Sequence, residues 1–333
     1  KAVGTGAPKA AQLKPRLRGV RAGEVLLVFN SLSWPRTELV ELPEGAASCS
    51  DAEGRPLPVQ ELGGRSWALA ELPSCGWAAL LPSAEPPSGP APRSGGVRAG
   101  AGEGACRAWR ENELLRVELD ARGGVSRLYD KQSRREIAAG SCNELRMYRD
   151  INANYDAWDI GSMYAELPVA LDEEAELRVL EAGPLVARVA VGRKLAHSRL
   201  EQLVVLRAGS RRLDFETRID WREDHKLLKA AFEVDVHADQ ALSEIQFGYL
   251  ARPNHRSRKH DADRFETCHH RWVALVEPRR GFAVLNDCKY GASAQGRSLE
   301  LTLLKSAFVP DMEADRGPQE FTYSIYAWNG SLA

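Results

Sequence analysis

The sequence has no Cys-x-x-Cys pair, no long apolar run and almost no net charge, and each absence removes a class of protein. Its six cysteines (Cys49, Cys75, Cys106, Cys142, Cys268 and Cys288) are irregularly spaced in a chain of 333 residues. A disulfide framework is excluded on that spacing, and the cysteines read as free buried thiols of a reducing compartment. No apolar run approaches membrane-spanning length and no signal-peptide pattern is present, so the expectation is a cytoplasmic protein with no membrane partner. A formal net charge of −1 leaves no basic footprint for nucleic acid. The G-x-S-x-G elbow, the phosphate loop, H-E-x-x-H and G-x-G-x-x-G are all missing. Nothing in the motifs supports a self-sufficient nucleophilic or metal-dependent centre.

What is present is a long succession of short apolar strands. Residues 1–23 are rich in Lys, Arg, Gly and Ala, with Pro8 and Pro15 as helix interrupters, and read as a linker remnant. Strands over Glu24–Asn30, Glu38–Leu42, Pro56–Gln60, Trp67–Leu72 and Trp77–Leu81 make residues 24–82 a small β domain. Residues 83–105 are Pro- and Gly-rich without apolar period and read as a linker. From 106 to 333, long antiparallel hairpins follow one another. Glu113–Asp120 alternates in period two and turns back through Gly123 and Gly124 into Val125–Tyr129. Pairs over Glu176–Leu180 with Leu185–Val191, and Leu200–Arg207 with Arg212–Trp221, come next. Single strands over Leu227–Val236, Ala241–Leu250 and Trp272–Val276 continue the series, with convincing helices absent. The fold class is all-β, with a large antiparallel sandwich in the second part.

One stretch breaks the pattern. Met147–Ser162 has neither a helical nor a strand period and should form a loop or an ordered crossing segment. It nonetheless concentrates Tyr148, Tyr155 and Trp158 with Asp150, Asp156, Asp159, Asn152 and Asn154. Sugar recognition uses this mixture, because aromatic faces cover pyranose C–H surfaces while carboxylates and amides bond to hydroxyl pairs. An aromatic-anchored plug of a sheet edge would use it too. Arg252–His260 is a basic run that reads as a solvated loop. His269 and His270 are adjacent and should face opposite sides of a strand, which argues against a shared metal ion. In Pro310–Gly317, Arg316 has the forked donors to hold a hydroxyl or a carboxylate; an internal ion pair with a neighbouring acid is the plainer reading.

Several of these segments together resemble a known family. Val25-Leu-Leu-Val-Phe-Asn-Ser-Leu-Ser-Trp-Pro-Arg36, Asn143-Glu-Leu, Tyr148-Arg-Asp and Asn154-Tyr-Asp-Ala-Trp-Asp159 resemble the C-terminal half of family 38 glycoside hydrolases. So do Arg264-Phe-Glu, His270-Arg-Trp272, Asn286-Asp-Cys-Lys-Tyr-Gly291 and Glu313-Ala-Asp-Arg-Gly317. The likeness runs over about residues 24–327 and is to α-mannosidases of the bacterial and cytosolic-type branch. It implies a small β domain followed by a galactose-mutarotase-like β-supersandwich. It also implies that a zinc ion, the aspartate nucleophile and the acid/base carboxylate of a retaining mechanism lie in a preceding barrel. This fragment would then hold no cofactor or metal, be inactive alone, and have that N-terminal catalytic domain and a mannose-containing oligosaccharide as partners, in a parent that self-associates. Motif against motif, the resemblance assigns sugar contacts to Tyr155 and Arg316, with Asp156, Trp158 and Asp159 as further candidates.

Two readings from other classes stay open on sequence. One is an aldose-mutarotase-like epimerase, for which His225, His237 or His270 would be nominated as the acid or base. The other is a stand-alone carbohydrate-binding or scaffold module.

Overall fold

A computed structural model describes residues 24–86, 96–152 and 154–332. The linker remnant expected over 1–23 lies outside the described residues.

The small domain consists of two three-stranded antiparallel sheets. One orders Leu26–Asn30, Gly76–Ser83 and Ser48–Asp51; the other orders Arg36–Glu41, Arg65–Leu72 and Val59–Leu62. Leu26, Leu42, Cys49, Ala68, Ala70 and Leu80 form its own core. Leu39, Leu62 and Leu69 face away from that core and pack on Leu185, Val186 and Val205 of the large domain. Gln60 locks the join by acting as a piece of backbone. Its Oε1 accepts from the N–H groups of Leu185 (2.7 Å) and Val186 (2.8 Å), and its Nε2 donates to the Val186 carbonyl (3.0 Å). Buried amides left unmatched here would each cost about 1–3 kcal/mol.

The large domain stacks an eleven-stranded on a nine-stranded antiparallel sheet. Period-two alternation sends Leu228, Ala230 and Phe232 of Lys226–Val234 into the space between them, where Phe215, Trp221, Phe282 and Phe321 meet them. At the centre of this apolar core sits a closed polar network. Tyr323 Oη bonds with the Asn143 carboxamide, and Gln202 Nε2 donates to Thr217 Oγ1 (2.8 Å) and Tyr323 Oη (2.9 Å). Burial lifts the Tyr323 hydroxyl well above the ordinary tyrosine range, so it stays protonated and able to donate.

Several sequence expectations shift. Part of the presumed linker 83–105 is structured: Arg98–Ala101 is the outermost strand of the eleven-stranded sheet, beside Ala108–Glu111. It is drawn in by the amide of Val97 donating to Pro184 O at 2.8 Å. Gly183 must be glycine there, since its φ is +106° and a Cβ would stand 1.8 Å from Val97 O. The strand expected over Ala241–Leu250 is a hairpin, Gln240–Ile245 with Gly248–Pro253, and its left-handed turn position is taken by Phe247 rather than by Gly or Asn. Met147–Arg149 is not loop but the end of the strand Ala138–Arg149. All six cysteines are free; only Cys49 and Cys142 are fully buried, and Cys75 and Cys268 are exposed. The only helical segments among the described residues are two short 3-10 turns, Tyr164–Glu166 and Lys259–Arg264. Among the described residues no helix is long and apolar enough to cross a membrane.

Candidate sugar-facing site

The aromatic loop leaves the eleven-stranded sheet at Arg149 and is held down at three points. Asp150 is the first. Its side chain is fully buried, ion-paired with Lys305, and accepts from the Gly161 amide at 2.8 Å; its own N–H donates to His225 O at 2.9 Å. Asp156 is the second. Its Oδ2 accepts from the amides of Phe308 (2.6 Å) and Val309 (3.3 Å), with Lys305 Nζ 3.7 Å from Oδ1. Burial works against its charge, but those two amides, Lys305 and His225 outweigh it and hold the carboxyl below the usual aspartate range. Tyr164 is the third. Its hydroxyl accepts from the buried Lys229 ammonium at 3.1 Å, and its ring lies edge-on to Tyr148.

Between these anchors the loop presents two rings to solvent. Tyr155 is 73% exposed and Trp158 75% exposed. Tyr155 adopts a left-handed backbone with φ +58°, and its carbonyl accepts from the amides of both Trp158 (2.8 Å) and Asp159 (2.9 Å). Asp159 is exposed, and its Oδ1 accepts from the Ile160 amide at 2.9 Å.

Arg316 comes from a different loop but arrives at the same end of the domain. Its Nη2 donates to both carboxylate oxygens of Asp224 at 2.8 and 2.9 Å, the internal pair that the sequence allowed, though the partner lies in another turn. The next residue, His225, has Nδ1 3.9 Å from Asp156 Oδ2, and its ring rests against Phe308 at 5.6 Å between centroids. The turn Arg222–His225 therefore bridges the Tyr155 and Arg316 loops. Tyr155, His225 and Asp315 all have positive φ (+58°, +48° and +60°). Non-glycine residues in this region cost of order 1–3 kcal/mol and cluster at functional sites. Asp224 and Lys305 were not singled out in the sequence, because a polar turn and a lysine ending an apolar strand carry no local signal; His225 was nominated only for an epimerase, not for this loop junction.

The remaining candidates lie apart. His237 Nε2 pairs with Asp235 at 3.2 Å on the surface, and His270 packs edge-on to Tyr290. His269 is buried with Nε2 accepting from Asn286 Nδ2 at 3.0 Å, and burial pushes its imidazole down to about 4. The basic run closes on a single acid: the buried Asp261 pairs with Arg258 and Arg264. Among the described residues no three His, Cys, Asp or Glu side chains converge as a metal would need.

Comparison with known proteins identifies the family. The Glycosyl hydrolases family 38 C-terminal domain matches residues 110–313. The chain is 37% identical over 322 residues to Alpha-mannosidase 2C1 of Homo sapiens, covering 93% of this chain and 28% of that protein. It is 36% identical over 230 residues to Alpha-mannosidase G of Dictyostelium discoideum, covering 67% of this chain and 21% of that one. It thus spans under a third of the relatives it matches. The fold is shared with the crystal structure of an alpha-mannosidase from Enterococcus faecalis V583, with a TM-score of 0.66 at 14% identity over 92% of this chain and 43% of that one. The two-part β architecture, the matched domain and these relatives together place the chain in glycoside hydrolase family 38, as its C-terminal β portion.

Proposed function

We propose that this chain serves a retaining α-mannosidase that removes terminal α-mannosides, bracing an upstream catalytic domain and lending two loops to its sugar cleft. The observation that carries the reading is the convergence of the Tyr155 and Arg316 loops on one end of the domain, tied through Asp224, His225 and Asp156. In this reading Tyr155 and Trp158, exposed on a fixed loop, meet the sugar. Arg316 is oriented by Asp224 and holds a hydroxyl through its free donors. Asp156 positions Tyr155 through the Phe308 and Val309 amides, and Asp159 stands at the rim. The nucleophile, acid/base carboxylate and zinc belong to the upstream domain, so the chain alone is inactive and its partners are that domain and a mannose-containing oligosaccharide. The parent is proposed to be cytoplasmic and self-associating, without nucleic-acid or membrane partners.

The test is kcat/KM of the full-length parent on an aryl α-mannoside, wild type against Tyr155→Phe at equal zinc occupancy. A loss of about tenfold, roughly 1.4 kcal/mol of transition-state binding, is expected. Activity within twofold of wild type with folding intact would make the loop a structural plug.

A further inference from the structure

The outer face of the nine-stranded sheet carries an open trough of about 370 Å³, at the small end of ligand-sized clefts. Strand register lays it out in rows. One row runs Glu176, Gly192, Glu201, Arg218, Glu320 across five strands; the next runs Arg178, Ala190, Leu203, Glu216, Thr322. At ordinary strand spacing each row spans roughly 19 Å. The floor is low and aliphatic, because Gly192 and Ala190 are followed by Leu203. The walls alternate carboxylates and guanidiniums, so neither sign of charge dominates. Leu203, which lines the trough, packs on the same Leu185, Val186 and Val205 cluster that receives Leu39, Leu62 and Leu69 of the small domain.

Gly192 is the informative residue. It lies inside the strand Val186–Leu195, where glycine is disfavoured. Its backbone is not in the left-handed region, and a Cβ would find its nearest neighbour, Glu176 Cβ, at 3.8 Å, an ordinary contact. Nothing in the fold therefore asks for glycine here. A strand glycine that the fold does not require marks a place where another group comes close. Glu216, two strands away in the neighbouring row, is a half-buried acid of the same face, and burial lifts its carboxyl above the usual glutamate range against the pull of Arg207.

We infer that this trough is a second binding site, for a neutral oligosaccharide, separate from the Tyr155–Arg316 end. The aliphatic floor covers the C–H face of a sugar ring, and the alternating carboxylates and guanidiniums bond to vicinal hydroxyls without selecting a charged ligand. The inference does not depend on the activity of the parent.

Titration calorimetry of the whole protein with cellotriose, maltotriose and β-1,4-mannotriose, none of which contains an α-mannosidic bond, tests it. At least one should bind with Kd of about 1 mM. Gly192→Leu, which fills the floor, should weaken that binding at least tenfold while leaving the unfolding midpoint and aryl α-mannoside turnover unchanged. Glu216→Gln, which keeps an acceptor oxygen at that position, should bind within twofold of wild type, and Glu216→Ala should lose about fivefold. No binding of any of the three by 20-fold that concentration would overturn the site. So would Gly192→Leu binding within twofold of wild type, or binding of a sulfated disaccharide alone.

Discussion

The two large sheets turn very different outer faces to their surroundings. On the eleven-stranded sheet the face is closed. Lys229, with a fully buried side chain, is held by Glu266 Oε2 at 2.6 Å, Ser293 Oγ at 2.8 Å and the Tyr164 hydroxyl. Arg146 beside it gathers Glu144, Glu233 and Glu300. On the nine-stranded sheet the corresponding face is open around Gly192: ion pairs there, such as Arg218 with Glu320 at 3.4 Å, are exposed, and the floor holds Gly192 and Ala190. Both faces are rich in charge, so composition does not separate them. What separates them is whether a crossing segment lies on top. The closed face is capped by the segment ending at Tyr164–Glu166, the same segment that presents Tyr155. Its ion cluster is thus the foundation of the candidate site, whereas the open face carries the small domain only on Leu185, Val186 and Val205 and leaves the rows through Gly192 and Ala190 uncovered among the described residues.

Substitutions should expose this difference as a falling series. Lys229→Met, which strands Glu266 without its cation and leaves Glu300 with Arg146 alone, should cost about 3–5 kcal/mol in urea unfolding. Burial alone would drag Lys229 below the ordinary lysine range, but Glu266, Tyr164 and Glu300 hold it above. Its contribution is therefore present throughout neutral pH and lost only in strong alkali.

His269 comes next, on the crossing from Thr267–Cys268 of the closed sheet to Trp272–Glu277 of the open one. Burial chiefly, with Arg252 and His270, lowers its folded value from 6.5 to about 4. Between those values the unfolded chain binds the proton and the folded chain does not, so stability falls as pH falls through this window. The difference between wild type and His269→Gln should change by about 2–3 kcal/mol between pH 7 and 4 in urea midpoints.

Asp156→Ala should cost about 1–2 kcal/mol and speed hydrogen exchange at the Phe308 and Val309 amides, leaving the rest of the sheet protected. Exchange unchanged at those amides would mean that the loop is held without it. Smallest of all, Arg218→Ala on the open face should shift stability by less than about 0.5 kcal/mol. A large loss there would show that this face is structural after all.

The strands that the sequence revealed include those whose alternation is clean, such as Leu115–Leu119 and Arg212–Trp221. Ala138–Arg149 was hidden because its ladder shifts register twice on the way to Lys226–Val234, and Asn143 sits there with φ +55°, so its apolar residues lose their period. Ser48–Asp51 was hidden because it is four small polar residues recognised only by its partner, Gly76–Ser83. At the candidate site, Tyr155 and Trp158 were legible because exposed aromatics in a period-free stretch are conspicuous. Asp150 and Asp156 look like their neighbour Asp159 in sequence. Only the arrival of Lys305 and Phe308, some 150 positions later, separates anchors from a surface acid.

The strand Gly317–Asn329 lies inside the nine-stranded sheet, with Arg212–Trp221 on one flank and Arg280–Asn286 on the other. Everything that precedes it can form only two half-sheets, each with a raw edge facing the gap. During synthesis those edges would wait, unpaired and prone to wrong partners, until this stretch clears the ribosome and zips them together. The Asp-x-Arg-Gly turn that delivers Arg316 is the leader of that strand, so the candidate site is finished in the same late event that finishes the fold.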